Sequence, residues 1–284
     1  MLEWNMLDSF LTSAFLHLMH LPTINHIDLS SIRNFPLSSL ALSVNLHRLD
    51  IFHMRCSNPL EEDDSIKIVV QSEMPKIREF HTFGSTLLTM KFLHAKKHDQ
   101  PAFNLMDLRR LSISYDTERN ARYLLQNAKL LEKLHLTVDF GSILGLLSLR
   151  SSTLKVLDLK VPLYHGFARP SLEGLCEELE AMAGHNILEA LSVEVRVQNE
   201  DEMEDFIGSI IQKVEKVLIK PGWSLLRQVS FKVSVVDYHS KREELCKVLQ
   251  FLPDKYLSHL PKLKSVAFNY SVYVPSRDFA KHEF

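Results

Sequence analysis

The chain has 284 residues, 45% of them hydrophobic and 24% charged, enough to bury a sizeable core in one or two domains. A formal charge of -2 and a pI near 6.7 supply no sustained positive field, which argues against nonspecific binding to nucleic acid or to an anionic membrane. Eight scattered glycines are too few for phosphate-cradling loops, and Cys56, Cys176 and Cys246 have neither disulfide-framework nor thiolate-metal spacing, so a reducing intracellular setting, cytoplasmic or nuclear, is expected.

From the amino terminus, Leu2 to Leu18 carries a helical apolar pattern, expected as a capping helix within residues 1–23. Glu3 and Asp8 precede its apolar run and no basic stretch does, unlike a secretory signal. No window approaches 18 uninterrupted apolar residues, so no membrane span is expected.

A different rhythm then begins, with apolar residues three apart and then two apart. "INHIDL" starts at Ile24, "LHRLDI" at Leu46, "LRRLSI" at Leu108, "LEKLHL" at Leu131 and "LKVLDL" at Leu154. "LEALSV" follows at Leu188, "LRQVSF" at Leu226 and "LKSVAF" at Leu263, while "IREFHT" at Ile77 has Thr82 at its third anchor. Nine units result, at irregular steps of 22 to 38 residues. Pro22, Pro75 and Pro261 each stand two residues before an anchor, a second register mark.

Positions three to seven of each unit alternate as a short strand, with anchors four and six pointing into a core and anchor one entering from the preceding turn. One such strand cannot stand alone; stacked on its neighbours it makes a parallel sheet and one continuous core. Between strands lie helical patterns: Ala121 to Ala128, Ile143 to Leu149, Ser171 to Met182 with Ser171 as cap and Gly184 as stop, Glu200 to Val214 with acidic residues in the first turn, and Ser240 to Leu252. Right-handed crossovers set these helices outside the sheet. An ordinary doubly wound fold fits less well, because its strands are near-continuous apolar runs. Residues 275–284 lack a core pattern and read as a loose tail.

The L-x-x-L-x-L units resemble the leucine-rich-repeat family, whose consensus continues to an asparagine or cysteine at position nine. The resemblance covers residue 24 to about residue 271. It implies an α/β solenoid of about nine irregular repeats over residues 1–274, with a curved parallel sheet on the concave face and helices on the convex face. Position nine here holds Ile32, Met54, Asp116, Asp139, Pro162, Arg196, Ser234 and Ser271, so no asparagine ladder exists and less regular turns are expected. The long, uneven units look like the substrate-binding halves of fungal F-box leucine-rich-repeat proteins, the recognition arm of a ubiquitin ligase. Only 23 residues precede the first anchor, so the F-box itself is expected to be absent.

That resemblance implies protein binding on the concave face, through strand positions three, five and seven. The candidates are Arg48, Phe52, His81, Phe83, Arg110, Lys133, His135 and Asp158. Phe52 and Phe83 share position seven in successive units, and aromatics with arginine commonly anchor interfaces. If the Ile77 unit is instead out of register, Phe83 is buried.

Chemistry is poorly supported. His17 with His20, and His94 with His98, have helical two-ligand spacing, but no third ligand completes either pair. No glycine-flanked elbow surrounds any serine, and Cys176 falls on an apolar stripe. Glu61, Glu62, Asp63 and Asp64 read as a solvated loop and helix start. The expectation is a non-catalytic interaction protein, monomeric, without metal or cofactor, binding a protein of unknown identity; an enzyme on an irregular α/β fold is the alternative from another class.

Overall fold

The computed structural model describes residues 1–54, 74–85, 89, 96–97, 100–101, 103–114, 116–138, 143–163, 169–197, 203–235, 242–262 and 265–274. Cys56, the carboxylates at 61–64, the His94 and His98 pair and the tail at 275–284 lie outside the described residues. The fold is α/β, with nine parallel strands in two compact units, Met1–Leu131 and Glu132–Phe284.

In the first unit, four strands pair in chain order: β1 (His26–Ser30), β2 (Arg48–Phe52), β3 (Glu79–Phe83) and β4 (Arg110–Ser114). Their register aligns the anchors, so Ile27, Leu49, Phe80 and Leu111 form one row and Leu29, Ile51, Thr82 and Ile113 the next. All eight are buried. Thr82 sits in the core because its hydroxyl bonds the Thr89 hydroxyl at 2.9 Å, supplying the partner that a buried polar group requires. The Ile77 unit is therefore in register.

The turns after these strands repeat too. Ser31, His53 and Gly84 each follow a strand directly, at φ 56, 49 and 58. Their N–H groups donate to Phe52, Phe83 and Ser114 carbonyls, extending the ladder by one bond. Gly84 avoids both the left-handed penalty and a tight contact, since a β-carbon there would lie 3.3 Å from His53 Nδ1. Less regular turns were expected without an asparagine ladder; instead, position nine works with other atoms. Ile32 N–H donates to Met54 Sδ at 3.4 Å, and Met54 N–H donates to Ser85 Oγ at 3.0 Å. A thioether and a hydroxyl stand where an amide was missed.

The amino-terminal pattern is shorter than expected. Leu2–Glu3 pairs with Ile32–Arg33, Trp4–Met6 forms a 3-10 turn, and α1 spans Ser9–Met19 with Asp8 accepting from Leu11 N–H at 2.8 Å. Farther on, α2 (Glu118–Asn127) is capped by Thr117, and Ala121, Leu124 and Leu125 are buried.

In the second unit, β5 (Lys133–Thr137), β6 (Val156–Leu163), β7 (Ala190–Val197), β8 (Gln228–Val235) and β9 (Ala267–Tyr273) pair in chain order. β6 to β8 run eight residues rather than five, adding Val161, Val195 and Val233 to the core. The last unit is weaker: Val266 and Phe268 are only half-buried, and Leu263 lies outside the described residues.

The helices are α3 (Arg169–Met182), α4 (Met203–Leu218), α5 (Arg242–Gln250) and α6 (Leu252–Tyr256). Ser171 lies inside α3 and cannot cap it. Gly184 at φ 82 follows α3 as expected, and its N–H donates to Gly222 O; a β-carbon on Gly222 would stand 2.5 Å from that nitrogen. The stretch at 240–252 divides into α5 and α6 around Phe251, with Pro253 early in α6. α3 packs on β6, and α5 on β8 and β9.

The helix expected from Ile143 to Leu149 is absent. Turns and a 3-10 segment at Ser148–Arg150 take its place, because Glu178 of α3 captures their N–H groups. That carboxylate accepts from Gly145, from Leu147 at 2.7 Å and from Ser148 at 2.9 Å. Glu215 of α4 does the same for Ser258, His259 and Leu260 at 3.0, 2.8 and 2.9 Å. Both glutamates are almost wholly buried, so each satisfies three donors that water would otherwise have to reach. Glu215→Ala should therefore destabilise the second unit by about 3 kcal/mol, read as a lowered urea midpoint with an unchanged slope. Replacing exposed Glu243 on α5 should leave that midpoint within about 0.5 kcal/mol of wild type.

Candidate binding face

Because the anchors face the core, positions three, five and seven share the opposite face of each unit. In the first unit the rows read His26, Arg48, Glu79, Arg110, then Asp28, Asp50, His81, Ser112, then Ser30, Phe52, Phe83, Ser114. Arg48, Phe52, His81, Phe83 and Arg110 are thus brought together on three adjacent strands.

Charges alternate across those strands and bind one another. Arg48 Nη2 reaches Asp50 Oδ2 at 2.9 Å while its Nε donates to the same carboxylate at 3.1 Å. His26 Nε2 lies 3.0 Å from Asp50 Oδ2, and His81 Nδ1 lies 4.0 Å from Oδ1. Glu79 then bridges two arginines, at 3.8 Å to Arg48 and 3.1 Å to Arg110. The Asp50 side chain is only 3% exposed at the centre of this network. Burial works against its charge, but hydrogen bonds from Arg48 and His26, with His81 close by, more than offset that and hold its carboxyl below the ordinary range.

Phe52 and Phe83 are directly paired residues, both half-buried. His53 stacks edge-on against the Phe83 ring at 4.7 Å. The result is an apolar spot beside an ordered polar network. His26, at position three of the first unit, is legible from the same register as the other candidates, whereas His53 lies past the strand and meets Phe83 through the fold of its turn, which no spacing announces.

In the second unit, Lys133, His135 and Asp158 lie on neighbouring strands. His135 Nδ1 meets Asp158 Oδ2 at 3.1 Å. Burial opposes the Asp158 charge, yet the His135 bond prevails and its carboxyl also lies below the usual range. Ser192 pairs with Asp158 from the other side, so the carboxylate sits between imidazole and serine. Activation of a serine nucleophile needs the imidazole in the middle, which this order does not supply. Toward the strand ends, Glu194 receives Tyr273 Oη–H at 2.8 Å and Arg196 Nε–H at 3.3 Å, with Lys160 at 4.0 Å.

Among the described residues no group of three or more His, Cys, Asp or Glu side chains is placed to hold a metal. His20 Nε2 lies 2.9 Å from the Ser39 carbonyl. Cys176 and Cys246 are half-buried, and burial pushes the Cys176 thiol up. No helix of the described residues is long and apolar enough to cross a membrane. No protein-family model matches the chain, and no curated protein does.

The Asp50 network gives a pH dependence. Its folded pKa lies below the unfolded value of about 3.9, so its stabilisation is complete above that pH and is lost as pH falls through the folded value. Asp50→Asn should cost about 2 kcal/mol at neutral pH. Urea midpoints of wild type and variant should converge as the solution is taken below about pH 4.

Proposed function

We propose that this chain is a solenoid of the leucine-rich-repeat kind that binds another protein on the strand face opposite its anchors, acting by complementarity rather than catalysis. The observation that carries the reading is the pairing of Phe52 with Phe83, two half-buried aromatics in register beside a network that already satisfies its own charges. Such a spot binds an apolar partner side chain at little desolvation cost, while the guanidinium of Arg110, half-exposed at the rim, orients an acidic group. The repeated anchor register and repeated turns of the first unit support the family assignment. Lys133, His135 and Asp158 are proposed as further contacts on the second unit. An intracellular setting fits three cysteines at wide, unpatterned spacing.

Affinity capture from cells, followed by mass spectrometry, tests the reading when wild type is compared with Phe52→Ala, Phe83→Ala and Arg110→Ala. A genuine partner should be captured by wild type and by the α2 control Glu118→Ala, and weakened about 30-fold by at least one aromatic substitution. Equal capture by all variants would place binding elsewhere.

A further inference from the structure

The amino-terminal helix faces the wrong way for a capping element. Of the eleven residues of α1, only Met19 is buried. Phe10, Leu11, Phe15 and Leu18 are 78%, 50%, 38% and 52% exposed, and Ala14 is exposed among them. At about 100° per residue these five occupy one arc of about 140°, with no polar side chain within it. The side turned inward instead carries Met19 with half-exposed Thr12 and Leu16. Met6, 84% exposed, precedes the helix in the turn that Trp4 fastens by ring contacts to Phe15 and Phe35 at 5.5 and 4.8 Å.

We propose that a second copy of this chain covers that arc, in an antiparallel α1–α1 pair across a two-fold axis. Two observations select this occupant. Together α1 and Met6 offer roughly 700 Å² of apolar surface per copy, against about 800 Å² per partner in a standard interface and about 300–600 Å² for the largest patch of a typical monomer. The helix contains no Lys, Arg, Asp or Glu, so two copies meet without like-charge repulsion, and the patch has no cation to draw it to anionic lipid. Antiparallel pairing also opposes the two helix dipoles. Ala14 lies midway along the helix stretch and about 30° from the middle of the arc, where a small side chain allows close approach. An interaxial distance of about 8–10 Å and a Cα radius of about 2.3 Å leave the two Ala14 Cα atoms about 4–6 Å apart. The pair replaces the monomer expected from sequence and does not depend on the binding-face proposal.

Sedimentation of the full chain tests it. Wild type should show twice the 32.8 kDa mass of one chain at micromolar concentration. Phe10→Asp combined with Leu18→Asp should weaken association about a hundredfold or more with the far-UV spectrum unchanged. Independently of that variant's folding, Ala14→Cys should give a disulfide-linked dimer on mild oxidation, absent in wild type, because the Cα spacing suits a disulfide. A single-chain mass throughout would overturn the proposal, as would a dimer that survives both aspartates, an Ala14→Cys chain that dimerises without linking, or a monomer that co-sediments with phosphatidylcholine–phosphatidylserine vesicles.

Discussion

Burial of three side chains in a three-then-two spacing is the constraint on which the rest depends. Once Leu46, Leu49 and Ile51 are committed to the core, alternation leaves Arg48, Asp50 and Phe52 no choice of face. A slip of one residue would exchange the two sets, exposing leucines and burying an arginine, a cost far larger than any surface interaction returns. Register is therefore set from the apolar side, and the polar face inherits its order. The alternation of Arg48, Glu79 and Arg110 across three strands is a consequence of that inheritance: like charges are kept apart because each strand is locked against its neighbour.

Stacking short strands creates a second demand, since every turn leaves backbone donors at the edge of the core. The two units meet it differently. In the first, position nine of one turn accepts from the turn before it, through Met54 sulfur and Ser85 oxygen. In the second, helices reach into the turns with a carboxylate, Glu178 and Glu215 each holding three N–H groups. A charged acceptor serves several donors at once, which suits connections of uneven length better than a one-to-one ladder does.

The anchors were legible because periodicity is a local property, readable from six consecutive residues; seven of nine units bury all three of their anchors. What was illegible depends on distant residues. Nothing between Ile143 and Leu149 announces that Glu178, some thirty residues later, will claim its N–H groups. Helix amphipathicity shows that Phe10, Leu11 and Leu18 share a side but not which way that side turns. Thr82 looked like a register error until Thr89 supplied its partner. On the candidate face, positions were readable and pairings were not: the spacing placed Arg48 and His81, while their convergence on Asp50 follows from inter-strand register.

The bonds of position nine run from one unit only to the next, Ile32 to Met54 and Met54 to Ser85, whatever the length of chain between them. A whole unit duplicated or lost would thus disturb a single junction while the neighbouring steps of the stack keep their joints. A chain joined in this way can lengthen or shorten by a whole unit without unpicking the rest of the stack.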